Sequence, residues 1–259
     1  MDHDRVKPNV ADPRDSFGPV AERYVTSAVH NNPTALSRLI ELVRPHGGKL
    51  LDIATGGGHA ACAFAPFMDM TVATDITPNM LAVTRTSAKS KGLKNFVLSI
   101  AKAEHLPFKD NTFEGVVCRI AAHHFDDVPA FLREVSRVLI PGGWFLLVDN
   151  VGPEDHAAAV ALNGIERDRD PSHMAYLSVS EWDSALCQAG FKVRHQEGSE
   201  KRIEVEDWLE RINAPIEKRL GIRKAIEESQ EELRAYLRPE VAQSSAYFTL
   251  REHLFLSEN

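Results

Sequence analysis

Short apolar runs at 49–54, 70–75, 95–101, 113–119 and 143–150 alternate with longer stretches whose apolar positions recur every three to four residues. That alternation predicts a mostly parallel β-sheet covered on both faces by helices, a doubly wound α/β fold. The clearest helix lies between the last two runs. Val128, Phe131, Leu132, Val135, Val138 and Leu139 form one face, Asp126 or Asp127 is placed to cap it, and Pro129 falls in its first turn. Pro141-Gly142-Gly143 then ends the helix. Upstream, 17–43 carries helical spacings divided by Asn32-Pro33, which predicts two N-terminal helices after an unstructured start. Downstream, 151–190 breaks the rhythm. Its charged run Glu166-Arg167-Asp168-Arg169-Asp170 precedes a helix over 180–189, and the segment is expected to be an insertion covering the mouth of the sheet. Two further strands, 191–197 and 246–256, would bring the sheet to seven, with charged helices over 205–220 and 223–237 between them. The expected organisation is N-terminal helices over 1–48 and one domain over 49–259.

Composition narrows this picture without redirecting it. The 259 residues are 43% hydrophobic and 26% charged, enough to bury one large core. The longest apolar runs, such as 144–148, are far too short to span a bilayer. The polar start has no secretory pattern, so a cytoplasmic protein without membrane attachment is expected. A formal charge of −7 argues against nucleic-acid partners, which need clustered Lys and Arg. Cys62, Cys118 and Cys187 are widely spaced within apolar or helical patterns and are expected to be buried, reduced thiols. The oligomeric state is not legible.

Chemistry enters at Thr55-Gly56-Gly57-Gly58-His59, which turns the first strand into a helix. Three consecutive glycines indicate a backbone with φ > 0 or in close approach to a ligand, and on a doubly wound sheet this turn lies where nucleotide-like ligands bind. Gly56-x-Gly58-x-x-Ala61 fits a dinucleotide loop weakly. Asp75, ending the second strand, can accept from ribose hydroxyls of either NAD or S-adenosylmethionine. Asp52 tips the balance: a carboxylate beside the loop suits a cationic ligand and gains nothing from an anionic pyrophosphate.

Further strings follow: Ala103-Glu104-His105-Leu106-Pro107-Phe108, Asp110-Asn111-Thr112-Phe113 and Leu139-Ile140-Pro141-Gly142-Gly143. With the loop they make 49–150 resemble the Rossmann-like S-adenosylmethionine-dependent methyltransferases, the family that includes the ubiquinone and menaquinone biosynthesis C-methyltransferases. Phe17-Gly18-Pro19-Val20-Ala21-Glu22-Arg23-Tyr24 is similar to the lead-in of many members. The resemblance implies that Asp52, Ala54, Gly56 and Gly58 shape the methionine end of the cofactor site, and that Asp75 binds ribose. It further implies that Ile76 and Met80 pack on adenine, that Ala103 and Glu104 lie at its ring edge, that Arg119 faces the methionine moiety, and that Tyr24 and His30 close over the cofactor. The family's seventh strand runs antiparallel. Lys102 stands where members commonly carry Asp, and Glu114 replaces another common Asp.

For the acceptor, the residues offer less. Methyl transfer from a sulfonium needs alignment above all, with a base only if the nucleophile must lose a proton. His123 and His124, following the fourth strand, are candidate bases; Asp149 and Asn150 are candidates to contact the acceptor or position a histidine. The acidic and apolar character of 151–240 favours a small-molecule acceptor. His156, Glu166, Asp168, Asp170 and His173 lack metal-site spacing and are expected to form a solvated charged face, with no metal. A nicotinamide-dependent oxidoreductase and a non-catalytic S-adenosylmethionine-binding protein are the competing expectations.

Overall fold

The computed structural model describes residues 10–22, 32–242 and 245–259. Strands β1 (Lys49–Ile53), β2 (Met70–Asp75), β3 (Phe96–Ile100), β4 (Phe113–Arg119) and β5 (Leu139–Val151) form at the apolar runs and pair in parallel in the order β3-β2-β1-β4-β5. Beyond β5 the sheet continues with β8 (Ser245–Glu258) and then β6 (Lys192–Glu204), β8 running antiparallel to both neighbours. A short strand β7 (Glu240–Ala242) pairs only with β8, adding a hairpin arm to the expected seven. The path steps to β2 on one side of β1 and to β4 on the other, so the carboxyl ends of β1 and β4 flank a topological switch point.

Among the described residues the α-helices are α1 (Pro13–Phe17), α2 (Pro33–Val43), α3 (His59–Phe64), α4 (Pro78–Ser90), α5 (Val128–Val138), α6 (His156–Arg169), α7 (Val179–Gln188), α8 (Val205–Arg211), α9 (Ile216–Glu227) and α10 (Glu231–Leu237). Alternate strand positions feed opposite layers. Leu51, Val116, Phe145 and Leu147 pack with Phe131 and Leu132 of α5 and Trp182 of α7. Leu50, Val117 and Leu146 pack with Leu39 of α2 and Phe64 of α3. Each such side chain contributes roughly 1.5–3 kcal/mol when fully buried. A third apolar cluster joins Leu162, Trp208, Leu209, Ile226 and Leu237 to Phe248, roofing the far half of β8 with α6, α8, α9 and α10.

Several expectations are corrected. Residues 156–169, to which the sequence pattern assigns no element, form α6, capped by Asp155, whose carboxylate accepts from Ala158 N at 2.8 Å. Its buried stripe runs through Ala158, Leu162, Ile165, Glu166 and Arg169; charged residues hold its last positions, so apolar periodicity could not reveal it. The helix expected over 205–220 breaks at Asn213 (φ +56), just ahead of Pro215, because proline lacks the N–H that a helix interior needs. Strand β6 runs past 197 to Glu204, held by cross-strand charge such as Arg251–Glu200 at 3.6 Å rather than by apolar alternation. The N-terminal helical structure starts at Pro13, earlier than Phe17. Cys62 and Cys118 are buried, but Cys187 is exposed on the outer face of α7.

Other details match the reading. Asn32 caps α2, accepting from Thr34 N at 3.1 Å, with Pro33 in the first turn. Asp127 caps α5, accepting from Ala130 N at 2.8 Å. Among the described residues, no helix is long and apolar enough to cross a membrane.

Candidate active site

At the switch point a cavity of about 530 Å³ opens over the carboxyl ends of β1, β2 and β4. Two non-glycine residues at this edge take left-handed backbone conformations, Ala54 (φ +52) after β1 and Ile120 (φ +54) after β4. Such conformations cost about 1–3 kcal/mol each and persist where surrounding structure imposes them. Both residues line the cavity.

The glycine loop is held from below by two buried carboxylates. Asp52 accepts from Thr55 Oγ1 at 2.6 Å and from Ala61 N at 3.0 Å. Asp75 accepts from Gly56 N at 2.9 Å and Thr77 N at 2.8 Å. Burial pushes the Asp52 carboxyl up to about 7, against the pull of its hydrogen bonds and of Arg119; burial likewise raises Asp75. Gly56 (φ +53) lines the cavity, and a side chain there would meet nothing within 4 Å, so the missing Cβ leaves room for a ligand. Gly58 (φ +78) is not on the wall: a Cβ would stand 2.7 Å from Thr84 Cγ2, so glycine there permits the turn into α3.

Of the other cofactor candidates, Ile76, Met80, Ala103, Glu104 and Arg119 line the same cavity. Glu104 accepts from Asp126 N at 2.8 Å, tying this wall to the start of α5. Lys102 pairs with Asp126 at 2.5 Å. The Leu106-Pro107-Phe108 string is anchored from α5: Glu134 accepts from Leu106 N at 2.7 Å, and Arg137 donates to Phe108 O at 2.7 Å and Leu106 O at 3.1 Å. Glu114 accepts from Lys49 N, joining the starts of β4 and β1. Tyr24 and His30 lie outside the described residues.

Past Arg119 the cavity meets a buried cluster of imidazoles. His123 Nδ1 lies 2.6 Å from Asp149 Oδ1, and Asp149 also accepts from His123 N at 2.9 Å and Asn150 N at 2.8 Å. A carboxylate only accepts, so Nδ1 carries the proton and Nε2 is the basic nitrogen, with no hydrogen-bond partner among the described residues. Burial opposes a charged ring, but the Asp149 carboxylate overrides it and holds His123 above the ordinary histidine value. His124, 4.2 Å away between ring centroids, is pressed down to about 4 by burial and by His123. Asn150 lines the cavity and donates from Nδ2 to Tyr176 Oη at 3.3 Å.

The expected solvated face is instead divided. His156 and Asp168 are exposed, whereas Glu166, Asp170 and His173 are no more than 3% exposed. Tyr176 donates to Glu166 at 2.8 Å, Glu166 pairs with Arg169 at 3.1 Å, and His173 Nε2 meets Asn163 Oδ1 at 2.8 Å. Helix α6 thus supplies the polar backing of the histidine pair. Among the described residues, no group of His, Cys, Asp and Glu is arranged to hold a metal ion. Wall residues that the sequence did not single out include Arg14, Tyr176, Lys201, Ile203, Trp208, Arg211, Ile212 and Leu250. They come from remote segments without a motif.

Residues 51–147 match the methyltransferase domain family. Over 186 residues the chain is 36% identical to the uncharacterized methyltransferase YcgJ of Bacillus subtilis, covering 72% of this chain and 74% of that protein. The chain belongs to the methyltransferase domain family. Its fold is similar to the crystal structure of the Bacillus halodurans protein BH2331, with TM-score 0.83, 35% identity and coverage of 87% and 98% of the two chains. It is also 33% identical over 150 residues to the ubiquinone/menaquinone biosynthesis C-methyltransferase UbiE of Shewanella frigidimarina, spanning 54% of this chain and 59% of that protein. The methyl donor of this family member is S-adenosylmethionine, and the residues present fit it. The loop offers an open glycine facing the cavity, and the surrounding carboxylates, Asp52, Asp75 and Glu104, suit a ligand that carries positive charge and hydroxyl donors.

Proposed function

We propose that this methyltransferase acts on a small organic acceptor whose nucleophile must lose a proton, with His123 as the general base. The observation that carries this reading is the 2.6 Å contact between His123 Nδ1 and Asp149. It fixes the tautomer, turns Nε2 into the proton acceptor, and stabilises the imidazolium that forms. S-adenosylmethionine, when bound, supplies an electrophilic methyl group on a sulfonium.

The chain's own residues then divide the work. Asp52, Ala54, Gly56 and Arg119 hold the methionine end, and Gly58 permits their turn. Asp75 takes the ribose hydroxyls, Ile76 and Met80 pack on the adenine, and Ala103 with Glu104 borders the ring edge. His123 Nε2 takes the acceptor's proton, and Asn150 positions the acceptor with its amide. His124, kept neutral by burial, packs against His123 and Phe17, the Phe17 ring lying edge-on at 5.0 Å. A cavity of about 530 Å³ shared by donor and acceptor supports a metabolite-sized substrate.

Incubation with methyl-labelled donor and a size-fractionated cell extract tests the reading. Label entering the small-molecule fraction, and lost with His123→Asn, is the expected result. Label entering only RNA or protein would overturn it.

A further inference from the structure

The wall beside His123 carries a relay of hydrogen bonds whose direction is fixed at its buried end. Glu166, 1% exposed on α6, pairs with Arg169 at 3.1 Å and accepts from Tyr176 Oη at 2.8 Å. A carboxylate only accepts, so the single phenol proton points at Glu166. Burial raises the Tyr176 phenol well above its ordinary value, which keeps that proton in place. Tyr176 Oη has lone pairs left, and Asn150 Nδ2 donates to it at 3.3 Å. Turning the amide over would set two oxygens against each other with no proton between them, so the relay decides which end of the amide is which. Oδ1 is the end left over, and it has no hydrogen-bond partner among the described residues.

His123 presents the same polarity, because Nδ1 carries the proton and Nε2 the free lone pair. Asp149 accepts from His123 Nδ1 at 2.6 Å and from Asn150 N at 2.8 Å, so one carboxylate fixes both the ring and the backbone that bears the amide. The Tyr176 ring stands edge-on to that of His123, centroids 5.1 Å apart, while its hydroxyl meets Asn150. His123, Asn150 and Tyr176 all line the cavity. Two acceptors, Nε2 and Oδ1, therefore belong to groups in contact with one tyrosine. A ligand oxygen without a hydrogen would oppose lone pairs at either, whereas a ligand with two neighbouring donors satisfies both. We propose that the methyl acceptor carries a second O–H or N–H beside its nucleophile, received by Asn150 Oδ1, with Tyr176 as the positioning residue that sets the direction of the amide. The substrate class is a vicinal dihydroxy or amino-hydroxy compound. This rests on the reading of His123 as the base that takes the nucleophile's proton.

The test uses the full chain saturated with S-adenosylhomocysteine and three probes, catechol, 2-aminophenol and 2-fluorophenol, their dissociation constants measured by saturation-transfer NMR. Fluorine replaces the second hydroxyl at similar size and donates nothing. Catechol and 2-aminophenol should each bind about tenfold more tightly than 2-fluorophenol. Asn150→Leu should bring the three within about twofold, and Tyr176→Phe, which frees the amide to turn, should cut the preference to below about threefold. S-adenosylhomocysteine affinity should be unchanged in both variants. Binding of 2-fluorophenol as tight as catechol, binding of no probe, or a preference that survives Asn150→Leu would overturn the proposal; a preference untouched by Tyr176→Phe would overturn the positioning role. His123→Asn should weaken all three probes together. Probes indifferent to His123→Asn, with the preference intact, would instead strike at the base.

Discussion

The proposed donor half and the proposed acceptor half of the cavity share one space and are built differently. The donor half hangs from the ends of neighbouring parallel strands: Asp52 on β1, Asp75 on β2 and Arg119 on β4, joined by a glycine turn that the two buried carboxylates brace. The acceptor half gathers Asn150 from β5, Arg169 from α6, Lys201 from β6, Trp208 from α8 and Leu250 from β8. A ligand common to a whole family can be held by a local turn and its two flanking strands. A ligand particular to one member is met by the segments added around that frame.

The sharpest way to separate the halves is His123→Asn. Removing a general base costs about a hundred- to ten-thousandfold in turnover, and S-adenosylhomocysteine affinity, measured by calorimetry, should stay within about twofold. A neutral base is required, so wild-type activity should fall on acidification. The Asp149 carboxylate holds the His123 pKa up, so the midpoint should lie above the ordinary histidine value. A flat pH–rate profile would remove His123 from the mechanism.

Next in size is a pH effect confined to the donor half. Burial pushes Asp52 up to about 7, so in the free protein it holds a proton below that pH, and a cationic ligand favours the ionised form. S-adenosylmethionine affinity should therefore rise with pH up to about 7 and weaken below it by up to about tenfold per pH unit. Asp52→Asn should abolish the dependence, which calorimetry across pH would reveal.

Much of the donor half was legible because its chemistry is local. Asp52, the glycine turn and Asp75 fall within one strand–turn–helix–strand unit, and the Leu106-Pro107-Phe108 string marks a loop that Arg137 and Glu134 pin in place. Arg137→Ala removes its hydrogen bonds to the Phe108 and Leu106 carbonyls and should cost about 1–3 kcal/mol, read as a lowered thermal midpoint. Beyond His123, His124, Asp149 and Asn150, the acceptor half was not legible, for physical reasons. The buried stripe of α6 ends in Glu166 and Arg169, which satisfy one another at 3.1 Å and so enter the interior without an apolar signature. Lys201 sits in a strand extended by charge pairing rather than by alternation. Trp208 reads as core in any helix, and only the fold places it on the cavity wall.

Outside the cavity lining, Cys187 is exposed on α7. Cys187→Ser should change stability by less than about 0.5 kcal/mol and leave turnover untouched, whereas a measurable loss of activity would tie that face to the site.

Calorimetric titration of S-adenosylhomocysteine into wild type, Asp75→Ala and His123→Asn tests the division most directly. Wild type and His123→Asn should bind alike. Asp75→Ala, having lost the carboxylate that braces Gly56 N and Thr77 N and that is proposed to take the ribose hydroxyls, should bind at least about a hundredfold more weakly. Binding by Asp75→Ala as tight as wild type, or no binding by wild type, would contradict the assignment of the glycine-loop half to the methyl donor.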